Sequence, residues 1–351
     1  MSETISMYDS WLDGDDGPAA LVIREYLMPV EGHDGVVFPP TFAAGDGFKG
    51  GYNIDHFGDE KDGKNVCLID SVGSQANRIE PIFAKPEYAK LIPQIVIKAG
   101  EKEVNLLEAG HRAGDAIVRC SELQEELNQA FKEVLKGNAE PLAKIAPTSL
   151  VFGAWDSRDT QAKVPRLVSS VIRAFDVLEL TRSAQYIPAV DYVAEGLLDD
   201  PKDKAVHDVY AQRGFIHVPA TRSPGGVIAR GGIRRDATLS LAALQQLKVG
   251  NDTDRTLALR RYIFGLALVA FTAKIPCYLR QGCNLVLDPD KPSEFVEVYR
   301  DGRRVPASIT HDDALAYAIA TADAFGVGES RTVQFDKDKA KEDVAKEKAK
   351  K

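Results

Sequence analysis

Residues 66–80 read Val66-Cys67-Leu68-Ile69-Asp70-Ser71-Val72-Gly73-Ser74-Gln75-Ala76-Asn77-Arg78-Ile79-Glu80. Four consecutive apolar residues match a short strand buried on both faces. Asp, Ser and Gly follow at once. They are turn and N-cap residues, so a helix starts near 71–74, and Pro81 bends or ends it. A strand turning straight into a helix points to a mixed α/β chain.

The flanking sequence extends this reading. Residues 20–28 form a strand stopped by Pro29. Residues 31–64, rich in Gly, Asp, Pro and Phe without a period, form a long insertion. Residues 91–97 are a strand. Residues 121–136 are an amphipathic helix with Leu123, Leu127, Phe131, Val134 and Leu135 on one face, Ser121 as its cap and Gly137 beyond its end. Residues 148–153 read as a strand, and 165–176 as a helix with Leu167, Val168, Val171, Ile172 and Phe175 inward. A strand over 214–218 leads into a Gly/Arg loop. Residues 237–248 and 254–272 are helices, the second apolar and central. Late strands lie within 275–287 and 294–305, with Asp301-Gly302 marking a hairpin. Residues 311–325 are a helix. From 336 onward Lys, Asp, Glu and Ala make a solvated tail, frayed helix or disorder.

The chain has 351 residues, 44% of them hydrophobic, as in ordinary soluble proteins. No apolar run approaches the roughly 20 residues that span a bilayer, and the acidic N-terminus lacks a signal-peptide core. Both place the chain in the cytoplasm, away from membranes. Its four cysteines form no Cys-x-x-Cys pair and read as small core residues. The net charge of −8 is uneven. Residues 1–150 carry 14 Lys+Arg against 25 Asp+Glu, whereas residues 210–285 carry 11 against 3. That asymmetry describes an anion-binding face on an acidic body.

Several chemistries are missing. The six histidines lie far apart in sequence, with no His-Glu-x-x-His pair, so no histidine-rich metal site is expected. There is no Gly-x-Ser-x-Gly elbow, no phosphate-binding Gly-x-x-x-x-Gly-Lys-Ser/Thr loop and no dinucleotide fingerprint. No catalytic residue, metal or cofactor is therefore assigned. An RNA endonuclease would have only His217 and Asp236 flanking the Gly/Arg loop as candidates.

Three segments are polar, basic and next to strand ends. The first is Ser74, Gln75, Asn77 and Arg78 at the start of a helix, where free amides and the dipole favour anions. The alternative is capping and surface polarity. The second runs from Trp155 to Arg166. Lys163 and Arg166 open a helix there, where cations oppose the dipole unless an anion lies between; Asp156 and Asp159 are alternative partners for Arg158. The third, residues 219–236, holds Arg222, Arg230, Arg234 and Arg235 with glycine pairs 225–226 and 231–232. Flexible backbone and guanidinium forks suit phosphate oxygens. Together the three suggest a long anionic ligand. Trp155, Tyr186 and Phe215 read as core before base-stacking platforms.

These residues also carry a resemblance. The 70–80 block, residues 148–158 with 161–166, residues 183–189 and residues 214–236 are similar, in order, to the CRISPR-associated backbone subunits of type I-G (formerly I-U) systems, of the RAMP superfamily. The resemblance spans roughly residues 66–247. It implies an α/β (α+β) fold: an RNA-recognition-motif-like (ferredoxin-like) palm over residues 1–335, with insertions at about 31–64 and 219–236 forming thumb and finger-like projections, then the tail 336–351. It implies a non-catalytic subunit that stacks head-to-tail with copies of itself along a CRISPR RNA, joins other Cascade subunits and displays the guide to a target DNA strand. RNA contact is carried to Ser74, Gln75, Asn77 and Arg78, then to Lys163 and Arg166. The Arg222, Arg230, Arg234 and Arg235 loop is assigned as a clamp on its chemistry.

Overall fold

The structure, a computed structural model, describes residues 2–14, 16–57 and 64–349. It is an α+β fold built on one large antiparallel sheet. The sheet runs in the order Tyr278–Arg280, Cys283–Leu287, Ala20–Pro29, Ile233–Ser240, Val168–Phe175, Asn65–Asp70, Ile54–His56. Glu294–Val298 pairs with the outer half of Ala20–Pro29 and with Arg304–Pro306. Ala20–Pro29 is central and opens Ala-Leu-Val-Ile, branched and apolar residues that fit a pleated surface, with Leu21 and Ile23 buried and their neighbours half-buried.

Burial along Ile233–Ser240 alternates strictly: Ile233, Arg235, Ala237 and Leu239 are buried and the residues between them half-buried. One sheet face is therefore covered and the other open. The central helix Thr253–Thr272 lies in the larger of two apolar clusters. Asp252 caps it by accepting from Arg255 N at 3.0 Å. From Tyr262 to Phe271 every residue is buried and the helix is apolar all round, as a segment enclosed by its neighbours must be. Gly265 lets His311–Phe325 approach; a Cβ there would lie 2.8 Å from Ala318 Cα.

A second, smaller cluster includes Cys67, Ile69, Ile172, Ala174, Ile233 and Leu285. From that end of the sheet a hairpin of Val177–Tyr186 and Val218–Ala229 projects, with the helix Lys204–Arg213 in the excursion at its tip.

Two expected elements exchange character. Residues 148–153, expected as a strand, belong to the helix Pro147–Phe152, whose six residues are all buried. Residues 165–176, expected as a helix, supply the strand Val168–Phe175. A short apolar run buried on every side carries no periodicity that separates the two states. The expected Gly/Arg loop is strand Val218–Ala229, a turn at 230–232, and strand Ile233–Ser240. The expected helix 237–248 is reduced to Leu241–Leu244. The tail forms a helix, Lys337–Ala349, tied at its start by Asp336 N to Cys120 O at 2.8 Å. The described part of 31–64 holds only short strands.

Candidate nucleic-acid interface

Asp70 ends its strand with no exposed surface, and its carboxylate accepts from four side chains. Ser74 Oγ donates at 2.9 Å, Gln75 Nε2 at 2.6 Å, Arg78 Nε at 3.0 Å and Arg280 Nη2 at 2.7 Å. Charge-assisted bonds of this kind repay the burial of the anion. The chain of bonds continues inward. Ser170 Oγ donates to Gln75 Oε1 at 2.8 Å, Arg235 Nε donates to Ser170 Oγ at 2.9 Å, and Arg235 Nη1 donates to Glu25 Oε2 at 2.7 Å. This polar band separates the two apolar clusters. Ser74, Gln75 and Arg235 thus direct polar atoms into the fold. Gln75 and Arg235 are buried, while Arg78 keeps about a quarter of its side chain (27%) exposed.

Asn77, on the same helix, is exposed and faces a cleft of about 730 Å³. The cleft gathers Asn77 with Lys163 and Arg166, which sequence separates by almost ninety residues, and adds Arg112, Arg119 and Arg158. Five cationic side chains line it, and no carboxylate does. Cations concentrated in a concave site focus the field on an anion. Gly73, Gly110, Gly114 and Gly153 also line it, exposing backbone. A Cβ on Gly114 would stand 3.0 Å from Trp155 O.

Arg112 anchors the inner wall. It is buried, in the left-handed region at φ 54°. Its Nη1 donates to Gly153 O at 3.3 Å and its guanidinium lies over the Phe152 ring at 5.2 Å. Its Nε stands 2.7 Å from Glu80 Oε2, an ion-pair contact whose N–H is not aligned for a hydrogen bond. Burial pushes the Glu80 carboxyl up to about 7, against the opposing pull of Arg112, Thr148 and Arg166. Half-burial, then the like charge of Arg112, holds Arg166 below its ordinary value.

The outer wall is free. Asp156 is buried and accepts from Thr160 N at 2.8 Å, Thr160 Oγ1 at 2.6 Å and Asp159 N at 3.2 Å, which folds the loop back on itself. It does not pair with Arg158. Among the described residues Arg158 makes no ion pair or hydrogen bond. Trp155, expected in the core, is 59% exposed beside Lys163, whose ammonium is 5.8 Å from the ring centre. Arg119 reaches the cleft while bonded to Asp343 of the terminal helix at 2.8 Å.

A second basic surface lies on the open sheet face. Tyr26, Arg234 and Arg173 stand directly across adjacent strands. Like charges opposite one another are unfavourable without an intervening anion. Arg234 donates to Asp236 at 2.9 Å and covers the Phe175 ring at 4.7 Å. Arg173 makes no ion pair or hydrogen bond among the described residues. The four arginines of residues 219–236 are therefore not one clamp. Arg230 is exposed at the turn, Arg234 is on the open face, and Arg235 is beneath the sheet. Arg222 lies in the hairpin strand, and its side chain is outside the described residues.

His217 precedes the strand Val218–Ala229 and Asp236 lies in the next one. A 12-residue strand, on the order of 40 Å long, runs between their ends of the hairpin. Asp236 already bridges Arg24 and Arg234. These two residues do not form one acid–base site. The fold does bring His33 to Asp288 and Asp290, with ligand atoms within 4.8 Å of one another. Lys291, 3.6 Å from Asp288, already supplies that buried carboxylate with a counter-charge.

Residues 21–179 match the family model described as CRISPR-associated protein GSU0053 (Cas_GSU0053). The match supports a CRISPR-associated protein. It covers a little under half of the chain, from Leu21 in the central strand to Glu179 in the hairpin, and contains every residue of the cleft. No curated protein matches the chain. Among the described residues no helix is long and apolar enough to cross a membrane.

Sequence reading missed Arg112, Arg158 as a free cation, and the exposed Trp155. The signal for Arg158 was the Asp-x-x-x-Thr spacing of Asp156 and Thr160, which occupies the nearest acid in a turn.

Proposed function

We propose that this chain is a non-catalytic, CRISPR RNA-binding backbone subunit of a type I-G Cascade effector. The observation that carries the reading is the cleft: five cations, no acid, exposed glycine backbone and a solvent-facing tryptophan, all within the CRISPR-associated match. Phosphates meet the cations and a base stacks on Trp155, a pairing that tolerates any sequence.

The sheet supports an RNA-recognition-motif-like palm. Ala20–Pro29, Val168–Phe175, Ile233–Ser240 and Glu294–Val298 are joined by helices, a hairpin excursion and a helix in turn. They stand in the sheet with the first and third at the centre, as a split β-α-β arrangement requires. The hairpin Val177–Tyr186/Val218–Ala229 is then the thumb. In this reading copies of the chain stack head-to-tail along the guide, contact other Cascade subunits, and present the spacer to a target DNA strand. Head-to-tail stacking is a heterologous contact that extends rather than closes.

The test is anisotropy of a labelled single-stranded RNA of spacer length across a salt series. Wild-type protein is expected to lose affinity with a slope of about −0.7 per phosphate contacted. The R158A/K163A double variant is expected to be shallower by about 1.4. An identical slope in the variant removes the cleft from the interface.

A further inference from the structure

The terminal helix Lys337–Ala349 has a firm root and a loose body. At the root, Glu122 N donates to Gln334 O at 3.1 Å and Asp336 N to Cys120 O at 2.8 Å. Asp336 Oδ1 then caps the helix, accepting from Asp338 N at 2.9 Å and Lys339 N at 3.1 Å. Beyond the root, no described side chain of the helix is buried. Lys339 Nζ reaches Ser121 O at 3.4 Å. Past Lys339, one bond ties the helix to the body among the described residues, from Arg119 Nη1 to Asp343 Oδ2 at 2.8 Å. A helix of 13 residues with no packed apolar face is marginal in water. Its docking, and with it its order, depends on that tie.

The tie ends on a residue of the basic cleft. Arg119 closes the short helix Ala116–Arg119, and both of its end residues line the cleft. Among the described residues Asp343 is the one hydrogen-bond acceptor of the Arg119 guanidinium, whose Nε has none. The other cleft cations are not held from outside. Arg112 pairs with Glu80 in the cleft wall, and Arg158 and Lys163 make no ion pair among the described residues. A carboxylate and a phosphate engage a guanidinium through the same charge-assisted bonds. Asp343 and a strand phosphate in the cleft therefore compete for Arg119. The Asp343 side chain is 32% exposed, and ion pairs that open to water are weak, so the tie is one that a ligand can break.

We propose that the C-terminal helix is a strap on the basic cleft: Asp343 occupies Arg119 in the free chain, and RNA takes Arg119 and releases the strap. The inference rests on the cleft being the RNA interface and adds its regulation. Docked, the strap withholds one of the five cations; undocked, it yields all five to the strand.

The test uses the full chain and the labelled single-stranded RNA of spacer length. D343N cuts the tie and keeps the lysines of the tail. It is expected to bind RNA about two- to fivefold more tightly than wild type, the usual worth of such a pair. D338N removes the same charge from the same helix but touches Lys341 and not the body. It is expected to gain less than half as much. Amide hydrogen exchange over 337–349, read by mass spectrometry, reports the strap itself. In wild type, saturating RNA is expected to speed exchange there by about two- to fivefold. In D343N, exchange is expected to be fast without RNA. Equal gains in D343N and D338N, or strap exchange in wild type that is unchanged or slowed by RNA, overturn the strap. If R158A/K163A weakens binding while D343N does not strengthen it, the strap fails and the cleft stands. If R158A/K163A leaves binding unchanged, the cleft reading fails on its own.

Discussion

Arg112 places its guanidinium 2.7 Å from the buried carboxylate of Glu80 while its backbone sits at φ 54°. A left-handed arginine with a buried charge persists only where its surroundings over-determine it. Here Glu80, Gly153 O and the Phe152 ring do so. The arrangement sets a rigid positive wall behind Arg166.

That pair has a pH signature. The folded Glu80 carboxyl sits at about 7, above its unfolded value of 4.5. The folded state therefore holds the extra proton between those values. The stability contributed is complete below pH 4.5 and is lost as pH rises through about 7. Urea denaturation from pH 4.5 to 7.5 is expected to show stability falling with pH in wild type and a flatter profile in E80Q. Parallel profiles would contradict the account.

Trp155 is the one exposed aromatic of the cleft lining. Trp155→Ala is expected to weaken single-stranded RNA by about 1–3 kcal/mol, the usual worth of one stacked base, with little change in salt slope. Trp155→Phe should recover most of the loss. Equal affinity for wild type and Trp155→Ala would leave the ring without a role.

Gln75 and Asn77 lie two residues apart and should behave differently. Gln75→Ala removes both bonds of a buried amide and leaves Asp70 and Ser170 short of partners. It is expected to destabilise the fold by about 1–3 kcal/mol. Asn77→Ala, at an exposed cleft position, removes only a long bond, Arg112 Nη2 to Asn77 Oδ1 at 3.5 Å, and should lower the melting temperature less than Gln75→Ala while weakening RNA binding. Thermal melts and anisotropy on both variants check this; the reverse pattern would move Gln75 to the interface.

Arg234 and Arg235 separate in the same way, because adjacent residues of a strand point to opposite faces. Arg234→Ala should shallow the salt slope by about 0.7 without loss of stability. Arg235→Ala should lower stability through Ser170 and Glu25. If both variants change only the slope, the burial of Arg235 is wrong.

The residues explain how much was legible. Val66–Ile69 and Ser71 announce their strand and cap through local chemistry alone, and Ser71 Oγ does accept from Ser74 N at 3.2 Å. Asp301-Gly302 needs only a turn with a positive φ at glycine, and the hairpin forms there with Gly302 at 85°. The helices His311–Phe325 and Thr253–Thr272 are long enough for composition and period to decide them. Pro147–Phe152 and Val168–Phe175 are short and enclosed, so their state depends on what packs around them. At the site, the basic character of the 155–166 segment was readable. Its meeting with Asn77 and Arg112 was not, since only the closed sheet brings these distant segments together. Nor could the sequence tell Gln75 from Asn77: which one turns inward depends on Ser170, 95 residues on in the chain.

The most direct measurement is to express this chain with its neighbouring subunits and a CRISPR array, purify the assembly and extract its nucleic acid. The account predicts a discrete RNA carrying spacer sequence and a repeat-derived handle, in a large particle holding many copies of the chain. A protein free of RNA at low salt, running as a small oligomer, would contradict it.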